Sequence, residues 1–451
     1  MKKATVFFTL ALAALILFVS CGEDPFFHDV TVTDRDKVTT EIVFNGNDFT
    51  LPANSDAEFL GWKVDDDKFI KAPGEKVTVN GDVAVKAIYT DTDDDSVCLL
   101  VYVLTDPDGN FTGSFTSESA KRAVVPEGEI EVLKAKDVTC EGAEFDGWYT
   151  AADADGNRTR YTDGDTLEVT KFTKLYANWI DNNLSYTVTE GDEPTVTVAA
   201  KVKENVASYG ISSWYQGKKV TVIGESGFSW CTNLTSITLP DTIKTISRYA
   251  FSGCSKLTSC NLPDGLETIE ENVFRSCDLT GKVVIPSSVT SLGDSCFHEN
   301  KNLTSIEFEA GCQITEIPYG AFWFCGFTSF PVLPTTVTKI QTSAFHTCKS
   351  ITVVDIPDSV TEIGNGAFAE CSALEEVNIG TGIAYIHECA FCDCTNLVKI
   401  SIKKSAEDIR NINIDQNGFA MRWSDDGVGN YNKNIKVYDA SGDAVTASSG
   451  S

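Results

Sequence analysis

Two groups of side chains in this sequence are spaced for chemistry. His387-Glu388-Cys389-Ala390-Phe391-Cys392-Asp393-Cys394 gathers an imidazole and three thiols within eight residues, a spacing that can hold zinc. Asp106-Pro107-Asp108-Gly109-Asn110 and Asp153-Ala154-Asp155-Gly156-Asn157 alternate carboxylates as calcium loops do. Each group has a plainer explanation. Phe391 and Cys394 fall on positions of a longer repeat, so only Cys389 and Cys392 are extra, as two small residues. Neither Asp loop has a Gly sixth and a Glu twelfth, so both read as turns. Catalysis has still less support. His28, His298, His346 and His387 are the four histidines, and none sits in a hydrolase motif. There is no Gly-rich phosphate loop, no HExxH and no nucleophile elbow. Paired carboxylates are background where 65 residues are acidic. The expectation is a protein that is not an enzyme, with no cofactor and no metal.

The element that positions these residues is a repeat. A Phe, usually after a small residue and usually followed three positions later by Cys, occurs at Phe228, Phe251, Phe274, Phe297, Phe322, Phe345, Phe368 and Phe391. Successive copies are 23 residues apart, except for 25 between Phe297 and Phe322. A fixed period in this range means one supersecondary unit stacked on copies of itself. Within Leu234 to Cys254, the Ile237–Leu239 alternation predicts a strand with one face inward. Pro240 ends it. Ile243 and Ile246 reach inward from a second short segment, and Ala250-Phe251 form a tight turn or short helix whose ring plugs the core. No coil hides its apolar residues alone, whereas stacking hides them. Seven Cys follow the repeat and read as free, buried small hydrophobes. Cys98 and Cys140 lie outside it and are free to bridge or not.

The slot after each repeat Phe holds Ser229, Ser252, Arg275, His298, Trp323, His346, Ala369 and Cys392. In a regular solenoid these line one edge, with His298, Trp323 and His346 in successive coils. They are the candidate binding surface, extended by Trp230 and Phe324 one position later. The competing explanation is that Trp323 folds back as local packing. A second outward ladder, from Thr238 through Asn261, Val284, Glu307, Val332, Asp355 and Asn378 to Ser401, picks out no ligand.

The pattern Leu-x-x-Ile-x-Leu/Ile-Pro-x-x-Val/Ile-x-x-Ile, followed by Ala-Phe-x-x-Cys, resembles the BspA-like leucine-rich repeat family over about Val220 to Ile402. Asn300 replaces Cys in the fourth copy, and Phe308 to Ile314 lacks the Pro, as does Gly380. The resemblance implies surface proteins, often lipoproteins, that bind host matrix proteins or other microbes. Upstream, Ala57-Glu58-Phe59-Leu60-Gly61-Trp62 and Ala143-Glu144-Phe145-Asp146-Gly147-Trp148 mark two related modules. They close with Val83 to Tyr89 and with Lys174-Leu175-Tyr176-Ala177-Asn178-Trp179. This resembles the Listeria–Bacteroides repeat found in internalins, which implies small β-grasp-like modules on bacterial surface proteins. The first module has Tyr89-Thr90 where the final Trp belongs.

At the N-terminus Lys2 and Lys3 precede an apolar run from Ala4 to Val19, short for a membrane span. Phe18-Val19-Ser20-Cys21-Gly22 resembles a bacterial lipobox, with Phe18 in place of the usual Leu. That implies lipid attachment at Cys21; the alternative is an ordinary cleaved signal peptide. The formal charge of −29 repels nucleic acid and anionic lipid headgroups.

The expected organisation is a signal peptide at 1–20, a tether at 21–40 and repeat modules at 41–90 and 97–180, with Asp91 to Asp95 between them. A solenoid cap follows at 183–219, then repeats at 220–402 and a C-terminal cap and tail at 403–451. The fold class is mainly β: a leucine-rich repeat solenoid of about eight coils preceded by two small β-grasp-like modules. The expected function is non-catalytic adhesion. The partner is a host extracellular-matrix or bacterial surface protein, and the protein is held to the membrane by its lipid anchor, at the outer membrane and surface exposed. The alternative is a scaffolding lipoprotein facing the periplasm.

Overall fold

The computed structural model describes residues 194–414 without interruption, residue 435 to 445, most of 98–191, and strands between 27 and 89. The leader with Cys21, the linker Asp91 to Asp95, and Phe419 and Trp423 lie outside the described residues. Contacts divide the chain into two compact units.

In the first unit, Lys37–Phe44, Phe27–Asp34, Val83–Tyr89 and Phe59–Val64 form a sheet in that order. Phe27–Asp34 runs parallel to the closing strand Val83–Tyr89, and Phe59–Val64 runs antiparallel to it. A second sheet, whose residues 143–147 and 178–181 are grouped with the second unit, repeats the arrangement with Arg122–Val125, Cys98–Val103, Phe172–Asp181 and Ala143–Tyr149, to which Arg160–Tyr161 is added. Its opening and closing strands are again parallel neighbours. The shared order explains why the Phe-x-Gly-Trp strand and the closing strand recur together: they lie side by side. Trp148 is fully buried against Tyr102, with ring centroids 4.6 Å apart.

The first sheet corrects one expectation. The sequence reads as a tether over 21–40, yet Phe27–Asp34 and Lys37–Phe44 are paired strands. The polarity of this stretch has period two, Val30 and Val32 alternating with Asp29, Thr31 and Thr33, which is the pattern of a strand.

The second unit comprises Thr105–Thr112, Cys140–Gly147 and Asn178–Ser451; it does not begin cleanly near residue 183. The reason is a buried polar cluster. Asn178 donates to the Asp146 carboxylate at 3.1 Å and to the Trp214 carbonyl at 2.9 Å, and accepts from Ser212 Oγ at 2.8 Å. Groups buried this deeply must be paired, so Asp146 and Asn178 go with 212–216.

The remainder of this unit is the solenoid. Leu184–Thr189 and Thr195–Ala200 form an antiparallel hairpin, and Lys218–Ile223 pairs parallel to its second strand. Short parallel rungs follow at Thr245–Ile246, Thr268–Ile269 and Ser291–Leu292. The series resumes at Glu316–Ile317 and continues through Lys339–Ile340, Glu362–Ile363 and Tyr385–Ile386 to Asn413–Ile414. The last rung lies beyond the sequence period. There a short helix, Ala406–Arg410, stands between strand and rung, where other coils have a turn such as Pro357 to Val360, with Ser405 Oγ capping the Asp408 amide at 3.1 Å. On the other side of the coils, Lys436–Tyr438 adds a strand to Lys399–Ile402.

The eight repeat Phe side chains form a continuous buried spine. Neighbouring ring centroids are 5.3, 5.4, 5.3, 5.8, 5.3, 5.4 and 5.4 Å apart. The widest step crosses the 25-residue interval. Tyr209 extends the spine at its head, 5.1 Å from Phe228.

Each Phe turn contains two left-handed residues, two positions before and two after the ring. Examples are Tyr249 and Gly253, Ser295 and Glu299, and Ser343 and Thr347, all with φ between +55° and +76°. Alternating handedness aims three N–H groups at the next coil. Tyr249, Phe251 and Gly253 donate to Glu271, Val273 and Arg275 at 3.0, 2.9 and 2.8 Å. Strand bonds run the opposite way, from Lys244 to Thr221 at 2.8 Å and from Ser247 to Ile223 at 3.0 Å. The turn ladder therefore ends in bare carbonyls at the first coil. There Ala200 N–H bonds Gly227 O at 3.0 Å, and Lys203 Nζ bonds Ser226 O at 2.8 Å and Ser229 O at 3.1 Å. A cation on an outward row of carbonyls is the favourable placement.

Candidate functional site

The thiols do more than fill a small slot. Cys254 Sγ donates to Phe228 O at 3.1 Å, Cys277 to Phe251 O at 3.1 Å, Cys325 to Phe297 O at 3.2 Å and Cys348 to Phe322 O at 3.3 Å. Cys231 in the first coil lies 3.5 Å from the Tyr209 hydroxyl, whereas from the second coil on each repeat thiol satisfies a carbonyl of the preceding coil. Asn300 does the same, donating to Phe274 O at 2.8 Å. Burial pushes the Cys325 and Cys348 thiols above their ordinary range, so they stay protonated donors. Cys140 is free and half-buried, which rules out the bridge to Cys98 left open by the sequence.

The zinc-like cluster is committed elsewhere. Cys389 and Cys392 are joined by a disulfide, so the two extra residues are more than space-fillers. Cys394 Sγ donates to Phe368 O at 3.1 Å, and His387 Nε2 sits 3.0 Å from Glu362 Oε1. No three-residue metal-binding group occurs among the described residues. The Asp loops are turns. Asp106 accepts from the amides of Asp108, Asn110 and Phe111 at 2.9, 3.1 and 2.8 Å, and Asp153 from Asn157 at 2.7 Å.

The edge after the Phe spine is accessible over part of its length. Ser229, Ser252, Ala369 and Cys392 are buried, Arg275 is exposed, and His298, Trp323 and His346 are half-buried. The latter three form one stack. The His298 and Trp323 rings lie 4.9 Å apart and 4° from parallel, and the Trp323 and His346 rings lie 4.9 Å apart, tilted by 48°. Phe324 lies 6.3 Å from Trp323, 13° from parallel. Stacking of this kind adds about 0.5–1.5 kcal/mol per pair beyond burial. Trp323 Nε1 is buried without a hydrogen-bond partner, so packing holds this indole.

Trp230 stands apart, four coils away along the same edge. It is 70% exposed with φ +62°. Its ring lies over Gly253, where an added Cβ would be 2.7 Å from the indole. Gly253 thus leaves room for a flat Trp with one face open.

Two polar neighbours were missed by sequence reasoning. Glu299 accepts from Ser276 Oγ at 2.5 Å, and Thr347 Oγ1 is 2.5 Å from His346 Nδ1. The period marks their slot, the one occupied by Trp230 and Phe324, but residue type there gave no signal.

Burial holds both imidazoles below the usual histidine range; Glu299 opposes this at His298, as Glu370 and Asp393 do at His346. With folded values depressed, the unfolded chain binds more protons below the ordinary value of 6.5, so stability falls as pH drops through that value and toward the lower folded ones. His298→Gln is expected to flatten the decline in melting temperature between about pH 7 and about pH 5. An unaltered slope in a pH series of thermal melts would contradict this burial.

The BspA type leucine-rich repeat region matches in six copies over residues 208–328 and 315–417, and the Listeria-Bacteroides repeat domain matches residues 109–178. No curated protein matches the chain. Among solved structures, a leucine-rich repeat protein from Bacteroides ovatus is 20% identical, covering 54% of this chain and 89% of that one, with TM-score 0.31. The pneumococcal vaccine antigen PcpA is 16% identical, covering 58% and 92%, with TM-score 0.33. A leucine-rich cell surface protein from Faecalibacterium prausnitzii is 19% identical, covering 52% and 97%, with TM-score 0.26. No helix among the described residues is long and apolar enough to cross a membrane. Residues 208–417, with the Phe spine and its Cys-to-carbonyl bonds, are thus BspA-type leucine-rich repeats, and residues 109–178 are a Listeria-Bacteroides repeat domain.

Proposed function

We propose that the protein is an exported, lipid-anchored recognition protein. Its solenoid binds a host-matrix or microbial surface protein without chemistry, and Cys21 carries the lipid. The observation behind this reading is the stack of His298, Trp323 and His346, with Phe324 beside it, on an edge that also presents Trp230. Aromatic side chains held rigidly by packing lose little entropy on binding and are frequent energetic anchors. The BspA-type repeats favour a broad interaction surface, and many copies on one cell compensate for weak single contacts. The charge of −29 favours partners with basic patches.

The test is a binding screen of the mature chain against matrix proteins and bacterial surfaces. For a partner so found, Trp323→Ala is expected to cost about 2 kcal/mol, roughly thirtyfold in affinity. Val332→Ala, 90% exposed on the other outward ladder, is expected to change nothing. Full binding by Trp323→Ala removes the aromatic edge from the account.

A further inference from the structure

The Cys389–Cys392 disulfide occupies two slots that every coil possesses, two positions before and one after the spine Phe. In the seven other coils these slots carry no bond, yet the backbone is the same. The first slot has φ between +53° and +60° in all seven, and +55° at Cys389. The second slot's amide donates to the first slot's carbonyl at 3.2 Å in Ser229–Ser226, 3.1 Å in Ser252–Tyr249, 3.0 Å in Ala369–Gly366 and 3.0 Å in Cys392–Cys389. A Cβ placed on Gly366 would lie 3.8 Å from that of Ala369, and one on Gly320 would lie 4.0 Å from that of Trp323. A disulfide needs about 3.5–4.5 Å between its Cβ atoms. The stacked scaffold therefore sets the two sulfurs at bonding distance whether or not they are bonded.

Two properties follow. Cleaving the bond leaves the turn in place, because seven neighbours hold it without one. The reduced pair also stays positioned to close again. Access to the two sulfurs differs: Cys389 is half-buried, whereas Cys392 is 3% exposed. Cys394 does not compete for the exchange. Its thiol donates to Phe368 O at 3.1 Å, and its hydrogen bond with the Cys371 thiol, together with burial, raises it well above the usual range.

We propose that Cys389–Cys392 is a thiol–disulfide exchange site for an aliphatic thiol, attacked at Cys389. The incoming thiolate bonds to Cys389 Sγ as the Cys389–Cys392 bond breaks. The electron pair leaves on Cys392 Sγ, which takes a proton from solvent. The product is a mixed disulfide at Cys389 and a thiol at Cys392. Return attack by Cys392 releases the thiol with no net oxidation. Attack by a second external thiol instead leaves both cysteines reduced and joins the two external thiols in a disulfide. Glu388 and Asp393 flank the pair, so neutral and cationic thiols are favoured over anionic ones.

The test uses the folded mature chain. Free thiols are first blocked with iodoacetamide, cysteamine is added without denaturant, and newly released thiols are labelled with N-ethylmaleimide and mapped. The expected second label is on Cys389, well ahead of buried Cys392, and on no other cysteine, with no loss of the far-ultraviolet circular dichroism signal. Treated with cystamine, Cys392→Ser is expected to carry the adduct on Cys389, whereas Cys389→Ser gains none on buried Cys392. A cysteine-containing basic peptide replaces cysteamine in a second arm, which separates small thiols from protein thiols as the source. The proposal is overturned if both cysteines take the first label. It is equally overturned if release occurs only with unfolding, or if Cys392 takes up cystamine as readily as Cys389.

Discussion

Phe345→Ala is expected to destabilise the solenoid by about 3–5 kcal/mol, a large part of the roughly 5–15 kcal/mol that holds a typical domain together. The Phe345 ring touches more of the spine than most. It stacks between Phe322 and Phe368, with centroids at 5.3 and 5.4 Å, and meets Phe327 at 6.3 Å and Phe330 at 5.1 Å. Truncation leaves a cavity between the Phe322 and Phe368 rings, lined also by Phe327 and Phe330. In a stacked-repeat protein this weakens an interface as well as a coil. Thermal melts should fall by roughly 10 °C, and the transition should broaden or split at the fifth-to-seventh coils. A variant that melts within a degree or two of the parent would mean that the rings are not the common core.

Asn300 is expected to be the most sensitive polar residue. It is fully buried; its amide donates to Phe274 O at 2.8 Å and Phe297 O at 2.9 Å, and its Oδ1 accepts from Leu279 N–H at 3.2 Å. Unlike a Cys, it also offers an acceptor to the coil before it, which the Leu279 amide uses. In most coils the Leu or Ile that starts the strand lies three residues after the Cys, and its amide bonds the Cys carbonyl, as Leu257 does to Cys254 at 2.9 Å. In the third coil, Cys277-Asp278-Leu279, it lies only two residues on. The Leu279 amide then needs another acceptor, and a Cys side chain is a poor one. Asn300→Ala leaves that amide and the Phe274 carbonyl unpaired and should cost about 3 kcal/mol. Asn300→Cys restores the bond to Phe274 and should cost about 1–2 kcal/mol, the price of one stranded amide. Urea denaturation of the two variants compares them directly; equal losses, or Cys worse than Ala, would refute this pairing.

Much of the architecture was legible because the spine is periodic in residue type. Each of the eight coils shows its Phe, and the position after it places His298, Trp323 and His346 in adjacent coils despite the 25-residue interval between the first two. The left-handed turn pairs were not legible. Of the residues that adopt them, only Gly253, Gly320 and Gly366 are glycines; others are as unsuited as Thr347 and Phe324. Left-handed backbone costs roughly 1–2 kcal/mol for such residues, and bonds to the next coil over-determine it, so the cause lies 23 residues away rather than in the local sequence. The thiols read correctly as small and buried, but their donor role needed the neighbouring carbonyl. Val30 and Val32 lay in a stretch whose acidic residues suggested a tether, since two apolar residues make a weak period-two signal. The Cys389–Cys392 bond was hidden because the repeat accounts for the positions around it.

Hydrogen exchange of the amides that bridge the coils tests the central claim, that these coils share one continuous core. Phe251, Phe274, Phe297, Phe322, Phe345 and Phe368 each donate to the following coil at 2.8–2.9 Å. The account predicts strong protection at all six, greatest at Phe297, Phe322 and Phe345 and declining smoothly toward both ends. Exchange at Phe322 or Phe345 as fast as at an exposed loop amide, or coils protected to unrelated degrees, would contradict it.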